Sequence, residues 1–392
     1  MSEITIIGAG IAGLTLARCL EIRGIDFQLY EQAASFEALG YGLQISPNAV
    51  RVLQELSLAS QLDTISHRCY EFELRDFHKD APLARWQIDS DTPYYHCRRA
   101  DLHRLLFDSL EDKGRIHFSH PLQSYEEKGD YLLLRFPDKE ITTKALIGAD
   151  GVHSSVRTRL FPNYRPVYSG YTAFRAILPF RDEYEPLWGK ATVWMGANHH
   201  LVAYPADRKK KWLNLVLVTR ERQWQEEGWK IVADREEIRV IFANKPPFLQ
   251  HMCQQLDKSP EICYKWGLFI HPVLPYWSKG RITLVGDAAH PMVPFQAQGA
   301  AMAIESAYIL ARCLAESRDI ESAFLQYQKL RKPRATRVQK TSRQNAYIFH
   351  ASGLGAVARN LILTAICAIN PQWLNWKTAW IYDYDVTARG AC

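Results

Sequence analysis

The fold is decided by Gly8-Ala9-Gly10-Ile11-Ala12-Gly13, a glycine turn that joins the apolar run at residues 4–7 to a segment with helical spacing. In a dinucleotide-binding turn the first glycine permits the tight bend, the second lets the backbone approach a pyrophosphate, and the third lets the helix pack closely on the strand. The phosphates would lie at the helix N-terminus, where free amides and the helix dipole favour anions. The dinucleotide-binding residues predicted here are Gly8, Gly10, Ala12 and Gly13.

An acidic residue ends the next predicted strand. The apolar run at residues 27–30 leads into Glu31, about twenty residues beyond the glycines, where a carboxylate can accept hydrogen bonds from an adenosine ribose. The strand, the helix and the terminal acid together favour a dinucleotide site over a glycine turn with a purely structural role.

Composition and charge are those of an ordinary globular enzyme. The 392 residues are 47% hydrophobic and 23% charged, with a net charge of +6. The basic residues are not interleaved with a nucleic-acid-reading motif, so we expect no nucleic-acid partner. The eight cysteines contain no C-x-x-C pair, which favours reduced thiols and no metal site.

No segment is predicted to cross a membrane. Residues 354–369 are apolar, but Arg359 and Asn360 interrupt them and they are too short to span a bilayer. We interpret them as a packed or interface helix, with peripheral membrane contact as the less favoured alternative. The N-terminal apolar run is the predicted phosphate-binding strand and no basic region precedes it, so we do not expect it to be a signal peptide. We expect a cytoplasmic protein that is either a monomer or a homodimer.

Residues 116–122 and 131–136 are predicted strands, and two later strands also end at an acid. Residues 144–149 lead into Asp150, and residues 281–286 lead into Asp287; ligands bind at the carboxyl ends of strands in open α/β sheets. A proline-containing loop then reaches residues 298–301, where a helix begins with small residues whose amides could face an anionic ring edge. Taken alone, this segment is either a ligand site or a structural strand, loop and helix.

The middle of the chain has a different residue pattern. Between about residues 168 and 266, β-branched and aromatic runs alternate, which predicts an antiparallel sheet inserted between parts of the cofactor domain. A polar helical stretch at 235–256 follows the sheet. The predicted α/β organisation has a discontinuous cofactor domain at 1–70, 97–165 and 278–345, a mainly antiparallel β-sheet substrate domain at 71–96 and 166–277, and a C-terminal helical segment at 346–392.

Three motifs occur in a recognisable order: the glycine turn with Glu31, GADGVHSSVR at 148–157, and GDAAHP at 286–291 followed by Gln298-Gly299-Ala300. Together they resemble the FAD-dependent aromatic hydroxylases of the para-hydroxybenzoate hydroxylase type, most closely the branch with the salicylate and 3-hydroxybenzoate hydroxylases. Smaller matches at residues 99–102, 170–175 and 380–385 extend the resemblance over nearly the whole chain.

The resemblance implies a Rossmann-like, glutathione-reductase-like FAD-binding domain. Arg99 would lie on the phosphate side, the backbone of Leu122 would touch the adenine, and Asp150 would couple pyrophosphate binding to NAD(P)H. Because the chain has one such glycine turn, NADH or NADPH is expected as a visiting co-substrate. The implied FAD contacts are Gly8, Gly10, Ala12, Gly13, Glu31, Gln44, Arg99, Leu122, Asp150, Asp287, Gly299, Ala300 and Ala301.

The implied activity is hydroxylation of a small aromatic or heteroaromatic substrate, phenolic or acidic, with NAD(P)H and O2 through a flavin hydroperoxide. His200 and Tyr204 have an even spacing on one predicted strand and so share a face; in the 3-hydroxybenzoate hydroxylase relatives a His and a Tyr at this spacing line the substrate pocket. We predict His200 as the base and Tyr204 as a substrate hydrogen-bond partner, with a packing role as the alternative. Pro291 would shape the loop over the flavin.

Two other functions stay open. A fold does not fix a reaction, so the chain could be an FAD monooxygenase that acts on something other than a simple aromatic, by epoxidation or antibiotic inactivation. It could also bind flavin without turnover. Oxidation of NAD(P)H that an aromatic compound stimulates separates the enzymes from the binding protein, and mass analysis of the product separates the two enzymes.

Overall fold

The glycine turn lies between the first strand and the first helix. The computed structural model describes residues 2–36, 41–224, 231–259 and 261–388. Strand β1 (Ser2–Ile7) enters the turn and helix α1 (Ile11–Ile22) leaves it. The helix buries Leu14, Leu16 and Leu20 in the main core, so its packing against the sheet stabilises it.

Eight strands form the sheet that carries this turn. Five of them run parallel in the order β18, β11, β1, β2, β8, while β17 pairs antiparallel with β18 and a β9–β10 hairpin extends β11. This is the Rossmann-like sheet that the sequence predicts. Beyond β1 its strands are β2 (Phe27–Tyr30), β8 (Ile116–His117), β9 (Ser124–Lys128), β10 (Tyr131–Arg135), β11 (Glu140–Gly148), β17 (Ser278–Lys279) and β18 (Ile282–Leu284).

A second sheet has seven strands. Its order is β16, β12, β15, β14, β13, β5, β6, and every pair is antiparallel except β13 with β5, which confirms a mainly antiparallel sheet. One face packs on helices α6 (Arg235–Phe242) and α7 (Pro247–Lys258). The strands are β5 (Glu71–Asp76), β6 (Pro82–Gln87), β12 (Val167–Pro179), β13 (Lys190–Gly196), β14 (His199–Pro205), β15 (Trp212–Arg220) and β16 (Tyr264–Ile270).

A small antiparallel sheet lies at the junction, with strand β7 between β3 and β4. Its strands are β3 (Gly42–Ile45), β4 (His67–Cys69) and β7 (Tyr94–Arg98). The remaining helices are α2 (Pro47–Glu55), α3 (Ala59–Ile65), α4 (Arg99–Asp108), α5 (Ser155–Leu160), α8 (Gly299–Glu316), α9 (Ile320–Phe349), α10 (Gly353–Ile369) and α11 (Trp373–Tyr382). The predicted C-terminal segment is thus helical, and its last four residues lie outside the described ranges.

Two predicted elements differ from the structure. The strand expected at 116–122 stops at His117, because the backbone at Ser119 has a φ of 61° and Pro121 cannot donate to a ladder. The single helical stretch expected at 235–256 is two helices, since Pro246 and Pro247 lack the amide hydrogens that a continuous helix needs.

A buried ion-pair network joins α2, α8, α9 and the C-terminal segment. The carboxylate of Glu305 accepts hydrogen bonds from Arg331 at 2.6 Å, Arg334 at 2.9 Å and Asn48 at 2.5 Å, and both Glu305 and Arg331 are fully buried. Arg334 also donates to the carbonyl oxygens of residues 380–381, just before the end of α11. A single carboxylate therefore ties together four segments that are distant in sequence.

Helix α10 packs on β6 along one face and exposes the other. Leu354 is 89% exposed, Leu361 66% and Ile369 85%, while Arg359 turns inward and donates to the end of α9. Within the described ranges no single helix is long and apolar enough to cross a membrane, and α9 and α10 reach that length only as a pair bent by 108°. One face of α10 is packed, as the prediction of a packed helix expects, and the opposite face is exposed.

We predict that Glu305→Gln lowers the free energy of unfolding by about 3–5 kcal/mol, because it leaves the buried Arg331 guanidinium without a countercharge. Denaturant unfolding of the variant and the wild type measures the difference. Glu185→Gln is the matched control, since Glu185 forms an exposed pair with Lys210 and should change stability little. Equal losses in the two variants would contradict the role of the network.

The same network predicts a pH dependence. Burial raises the pKa of Glu305, but Arg331 and Arg334 outweigh burial and the net direction is down. A lowered folded-state pKa stabilises the fold above the unfolded-state value, about 4.3, and the stabilisation is lost as the pH falls through the folded-state pKa. The stability difference between wild type and Glu305→Gln should therefore be constant near neutrality and shrink only in acid.

Candidate active site

The three predicted motifs meet at one edge of the parallel sheet. Ile7 pairs with Gly148, and Gly148 with Leu284, so the glycine turn, Asp150 and Asp287 follow neighbouring strands at the same end. Ligands of open α/β sheets bind outside this carboxyl edge. Motifs separated by more than a hundred residues thus form a single cleft.

The glycines of the turn have distinct roles. A Cβ on Gly8, whose φ is 103°, would lie 2.6 Å from the carbonyl oxygen of Ala149, and one on Gly13 would lie 1.9 Å from the carbonyl oxygen of Gly8. A Cβ on Gly10 would meet nothing within 4 Å. Gly8 and Gly13 therefore allow close packing, whereas Gly10 borders open space of the kind that a pyrophosphate needs. Ala12 lies beside Gly286 in the motif that precedes Asp287.

Glu31 stabilises the turn as well as offering a ribose contact. Its carboxylate accepts from the amide nitrogen of Ala9 at 2.7 Å and from that of Ala33 at 2.9 Å, and it retains lone pairs for a ribose hydroxyl. His103 contacts the other backbone group of Ala9, with Nε2 2.6 Å from its carbonyl oxygen. No sequence pattern indicated His103 beyond its place in α4. Leu122 follows β8, the neighbour of β2, and packs on the core.

Charged side chains line the cleft beside the turn. Burial lowers the pKa of the Arg99 guanidinium, and the charges of Asp287 and Glu31 oppose this. Burial likewise raises the pKa of Asp287, while Arg99 and Arg157 lower it. Arg157 donates to the carbonyl oxygens of Asp287 at 3.0 Å and Ala288 at 3.1 Å, so it joins the second motif to the third. Its role was not predicted, although it ends GADGVHSSVR.

Asp150 caps a helix. Its Oδ2 accepts from the amide nitrogens of Ser155 at 2.8 Å and Val156 at 3.2 Å, at the start of α5. Its Oδ1 is buried and has no hydrogen-bond partner within the described ranges. The structure thus places Asp150 at the cleft edge, and its predicted link to pyrophosphate and NAD(P)H stays a prediction.

The N-terminus of α8 is open. The side chain of Gln298 does not cap the helix, because it donates to Ser46 Oγ at 2.9 Å and accepts from Asn48 at 3.2 Å. A Cβ on Gly299 would meet nothing within 4 Å. The first amides of α8, at residues 299–301, and the positive end of its dipole are available to an anionic ring edge.

A face of α9 holds the loop at residues 291–296. Gln339, Ser342 and Asn345, spaced three apart on this face, donate to the carbonyl oxygens of loop residues 291, 293 and 295 at 2.8, 2.6 and 3.0 Å. Pro291 is therefore held at the start of this loop, and its predicted role in shaping the loop over a flavin stays a prediction.

His200 and Tyr204 share the sheet face that turns toward this loop. The neighbouring Val216 packs with Phe295 of the loop, and Val202 lies against the same cluster. Tyr204 is buried beside His96, with 4.4 Å between ring centroids, and burial raises its pKa. Burial also lowers the pKa of His200 well below its ordinary value. The two side chains thus flank an apolar floor.

Arg175 lies near Tyr204 and was not predicted from the sequence. Arg175 lies opposite Val216 in the sheet, its guanidinium is 4.9 Å from the ring centroid of Trp266, and it donates to the carbonyl oxygen of Gly42 at 3.2 Å. It has no ion pair with any described acid, and burial lowers its pKa.

Gln44, predicted to contact FAD, lies on β3 and accepts from the hydroxyl of Tyr94 at 2.7 Å.

The parallel sheet, the glycine turn and the uncapped helix define a dinucleotide-binding protein, and the residues present fit FAD. A family model for the FAD binding domain matches residues 1–342. The chain is 37% identical to 3-amino-4-hydroxybenzoate 2-monooxygenase PtnB3 of Streptomyces platensis over 89% of this chain and 88% of that protein. It is 33% identical to 3-hydroxybenzoate 6-hydroxylase 1 of Aquipseudomonas alcaligenes over 96% and 97%.

The fold matches that of a salicylate hydroxylase solved as a substrate complex, with a TM-score of 0.82 and 24% identity over 98% of this chain and 96% of that one. The chain therefore belongs to the FAD-binding family, and it is an FAD-dependent monooxygenase of the aromatic hydroxylase group. Use of NAD(P)H is typical of these enzymes. The resemblance found in the sequence is confirmed.

We predict that substitutions at two glycines of the turn affect different properties, FAD binding in one case and the stability of the fold in the other. Gly10→Val should leave the unfolding temperature of the FAD-free protein unchanged and weaken FAD binding about tenfold or more, the effect of losing about 1.4 kcal/mol of phosphate contact. Gly13→Ala should lower the unfolding temperature itself, since its Cβ has no room. Thermal unfolding and FAD titration measure both. Full FAD affinity in Gly10→Val would contradict the placement of the pyrophosphate.

Proposed function

We propose that the enzyme uses NAD(P)H and O2 to hydroxylate a small aromatic or heteroaromatic acid. Bound FAD, reduced by NAD(P)H, supplies the activation of O2. The observation that carries the proposal is the apolar sheet face opposite the loop at 291–296. A histidine, a tyrosine and an arginine that has no ion pair within the described ranges lie at its edges. In this proposal residues 71–96 and 166–277 form the substrate domain, and residues 1–70, 97–165 and 278–345 bind FAD.

The apolar floor suits a reaction that must exclude water. Val202, Val216 and Val218 line the inward face of the sheet and meet Phe295 of the loop. A flat aromatic ring between the floor and the flavin would displace the remaining water, which protects activated oxygen from unproductive decay. This supports an aromatic substrate over a long or strongly polar one.

Arg175 supports an acidic substrate. A deeply placed guanidinium without a carboxylate partner is costly, and a bound anion would offset that cost. Its Nε makes no hydrogen bond within the described chain, and Arg175 lies one strand away from the floor residue Val216. The two relatives described above are named for substituted benzoates, which carry such an anion.

His200 and Tyr204 have the protonation states that the activation of a phenol requires. The lowered pKa of His200 keeps the ring neutral at pH 7, the form that can accept a proton. The raised pKa of Tyr204 keeps its hydroxyl protonated, so it can donate a hydrogen bond to the substrate. Removing the phenolic proton would make the ring more nucleophilic toward activated oxygen.

A cytoplasmic location and a monomeric or homodimeric state are further parts of the proposal. The cysteines within the described ranges form no disulfide, which is typical of a reducing compartment. Size-exclusion chromatography with light scattering decides between the two oligomeric states.

The substrate class is tested with hydroxybenzoates and their neutral amides. We expect the acids to stimulate NAD(P)H oxidation, and we expect Arg175→Met to raise KM for an active acid by about 10–100-fold without affecting the amide, because a hydrogen bond to a charged group contributes about 1.5–3 kcal/mol. Amides that serve as well as acids would contradict the anion site. FAD binding without stimulation by any aromatic compound would support a flavin-binding protein without turnover.

The role of His200 predicts uncoupling. His200→Ala should leave flavin reduction largely intact and lower the hydroxylation step by about 10²–10⁴, the usual cost of losing a general base. Hydrogen peroxide released per NAD(P)H oxidised should rise, measured at saturating substrate. His199→Ala is the matched control, because His199 faces the other side of the sheet toward Phe77. An unchanged product ratio in His200→Ala would remove His200 from the reaction.

A further inference from the structure

His200 is hydrogen-bonded to a second buried histidine. Nδ1 of His200 lies 2.7 Å from Nε2 of His350, at the end of α9. The ring of His350 stacks on Tyr171 with 4.5 Å between centroids, and Phe295 and Phe349 also contact the pair. Packing therefore fixes both rings, and the sequence showed no sign of this contact because the two residues are 150 positions apart.

One shared hydrogen bond couples the protonation states of the two rings. A neutral imidazole has one donor nitrogen and one acceptor nitrogen. If His200 donates from Nδ1, its Nε2 carries a lone pair and can accept a proton from the substrate. If His350 donates from Nε2, then His200 must carry its proton on Nε2 and cannot act as a base. The direction of this bond decides whether His200 can work.

The base role proposed for His200 requires the first arrangement, in which Nε2 of His350 accepts the hydrogen bond. Burial lowers the pKa of His350 to about 4, while the Ala346 carbonyl, one turn earlier in α9, opposes this. Within the described ranges Nδ1 of His350 has no hydrogen-bond partner, so no donor there forces the proton of His350 onto Nε2. With its proton on Nδ1, His350 presents the Nε2 lone pair to His200.

We infer that His350 is a positioning residue for hydroxylation, an inference that rests on the role proposed for His200. His350 holds His200 in the tautomer whose Nε2 faces the proton to be removed. When the O–H bond of the substrate breaks, a new N–H bond forms at Nε2 of His200. The Nδ1 proton of His200 is then shared with His350, so two rings carry the positive charge that would otherwise reside on one buried imidazole.

The tautomer is tested directly by NMR on FAD-loaded protein with isotopically labelled histidine. The ring-nitrogen shifts of His200, assigned by their loss in His200→Gln, should show the proton on Nδ1 in the wild type. They should move toward the commoner Nε2-protonated form in His350→Leu. A wild-type His200 protonated on Nε2 would overturn the inference, whatever the activity.

Two variants of His350 separate positioning from packing. His350→Gln keeps an oxygen that can accept from Nδ1 and should retain coupling within about threefold, whereas His350→Leu should lower product formed per NAD(P)H about tenfold or more, approaching the loss of a general base. The assay uses the hydroxybenzoate that most strongly stimulates NAD(P)H oxidation, with His199→Gln as control and thermal unfolding for each variant.

The outcomes distinguish this inference from the proposed function. Normal coupling in His350→Leu, with uncoupling in His200→Ala, would overturn the role of His350 and leave that of His200. Equal loss in the Leu and Gln variants at wild-type stability would also overturn it. Normal coupling in His200→Ala would refute the proposed base, while the NMR result would still decide the tautomer.

Discussion

The buried carboxylate of Glu305 is the constraint on which the site depends. It lies in α8, the helix whose open N-terminus faces the cleft, and its partners come from α2 and α9. An ion placed in the core costs several kcal/mol unless it is paired and hydrogen-bonded, so these segments pack most stably when all partners are present. The network thereby sets the position of α8 relative to α9, and through Arg334 it also holds the C-terminal segment.

The positions of α8 and α9 in turn determine the position of the loop at residues 291–296. The polar face of α9 binds the carbonyl oxygens of loop residues 291–296, and the same helix ends at His350 beside His200. One long helix therefore links the cofactor side of the site, through the loop, to the proposed proton acceptor in the sheet. Its length makes this possible, since α9 spans residues 320–349.

Local patterns in the sequence predict much of this arrangement. The glycine turn, Glu31, Asp150 and Asp287 each follow a strand, and parallel strands bring their carboxyl ends to one edge. Alternation predicts the inserted sheet and the common face of His200 and Tyr204. Contacts between distant segments were not predictable in this way, because no local period relates them. They include Arg157 with the third motif, Arg175 beside Tyr41 and Trp266, and His350 with His200. The short β8 was missed because turn geometry at Ser119 overrides an apolar run.

The central claim is that this chain places an aromatic acid between a flavin and an apolar sheet and inserts oxygen into it. The most direct measurement is mass analysis of the product formed from an active hydroxybenzoate under isotopically heavy O2, with NAD(P)H consumption recorded in the same reaction. The account predicts one heavy oxygen atom in each product molecule and close to one NAD(P)H oxidised per product. A product without heavy oxygen, or NAD(P)H oxidation that yields only hydrogen peroxide with every aromatic acid, would contradict it.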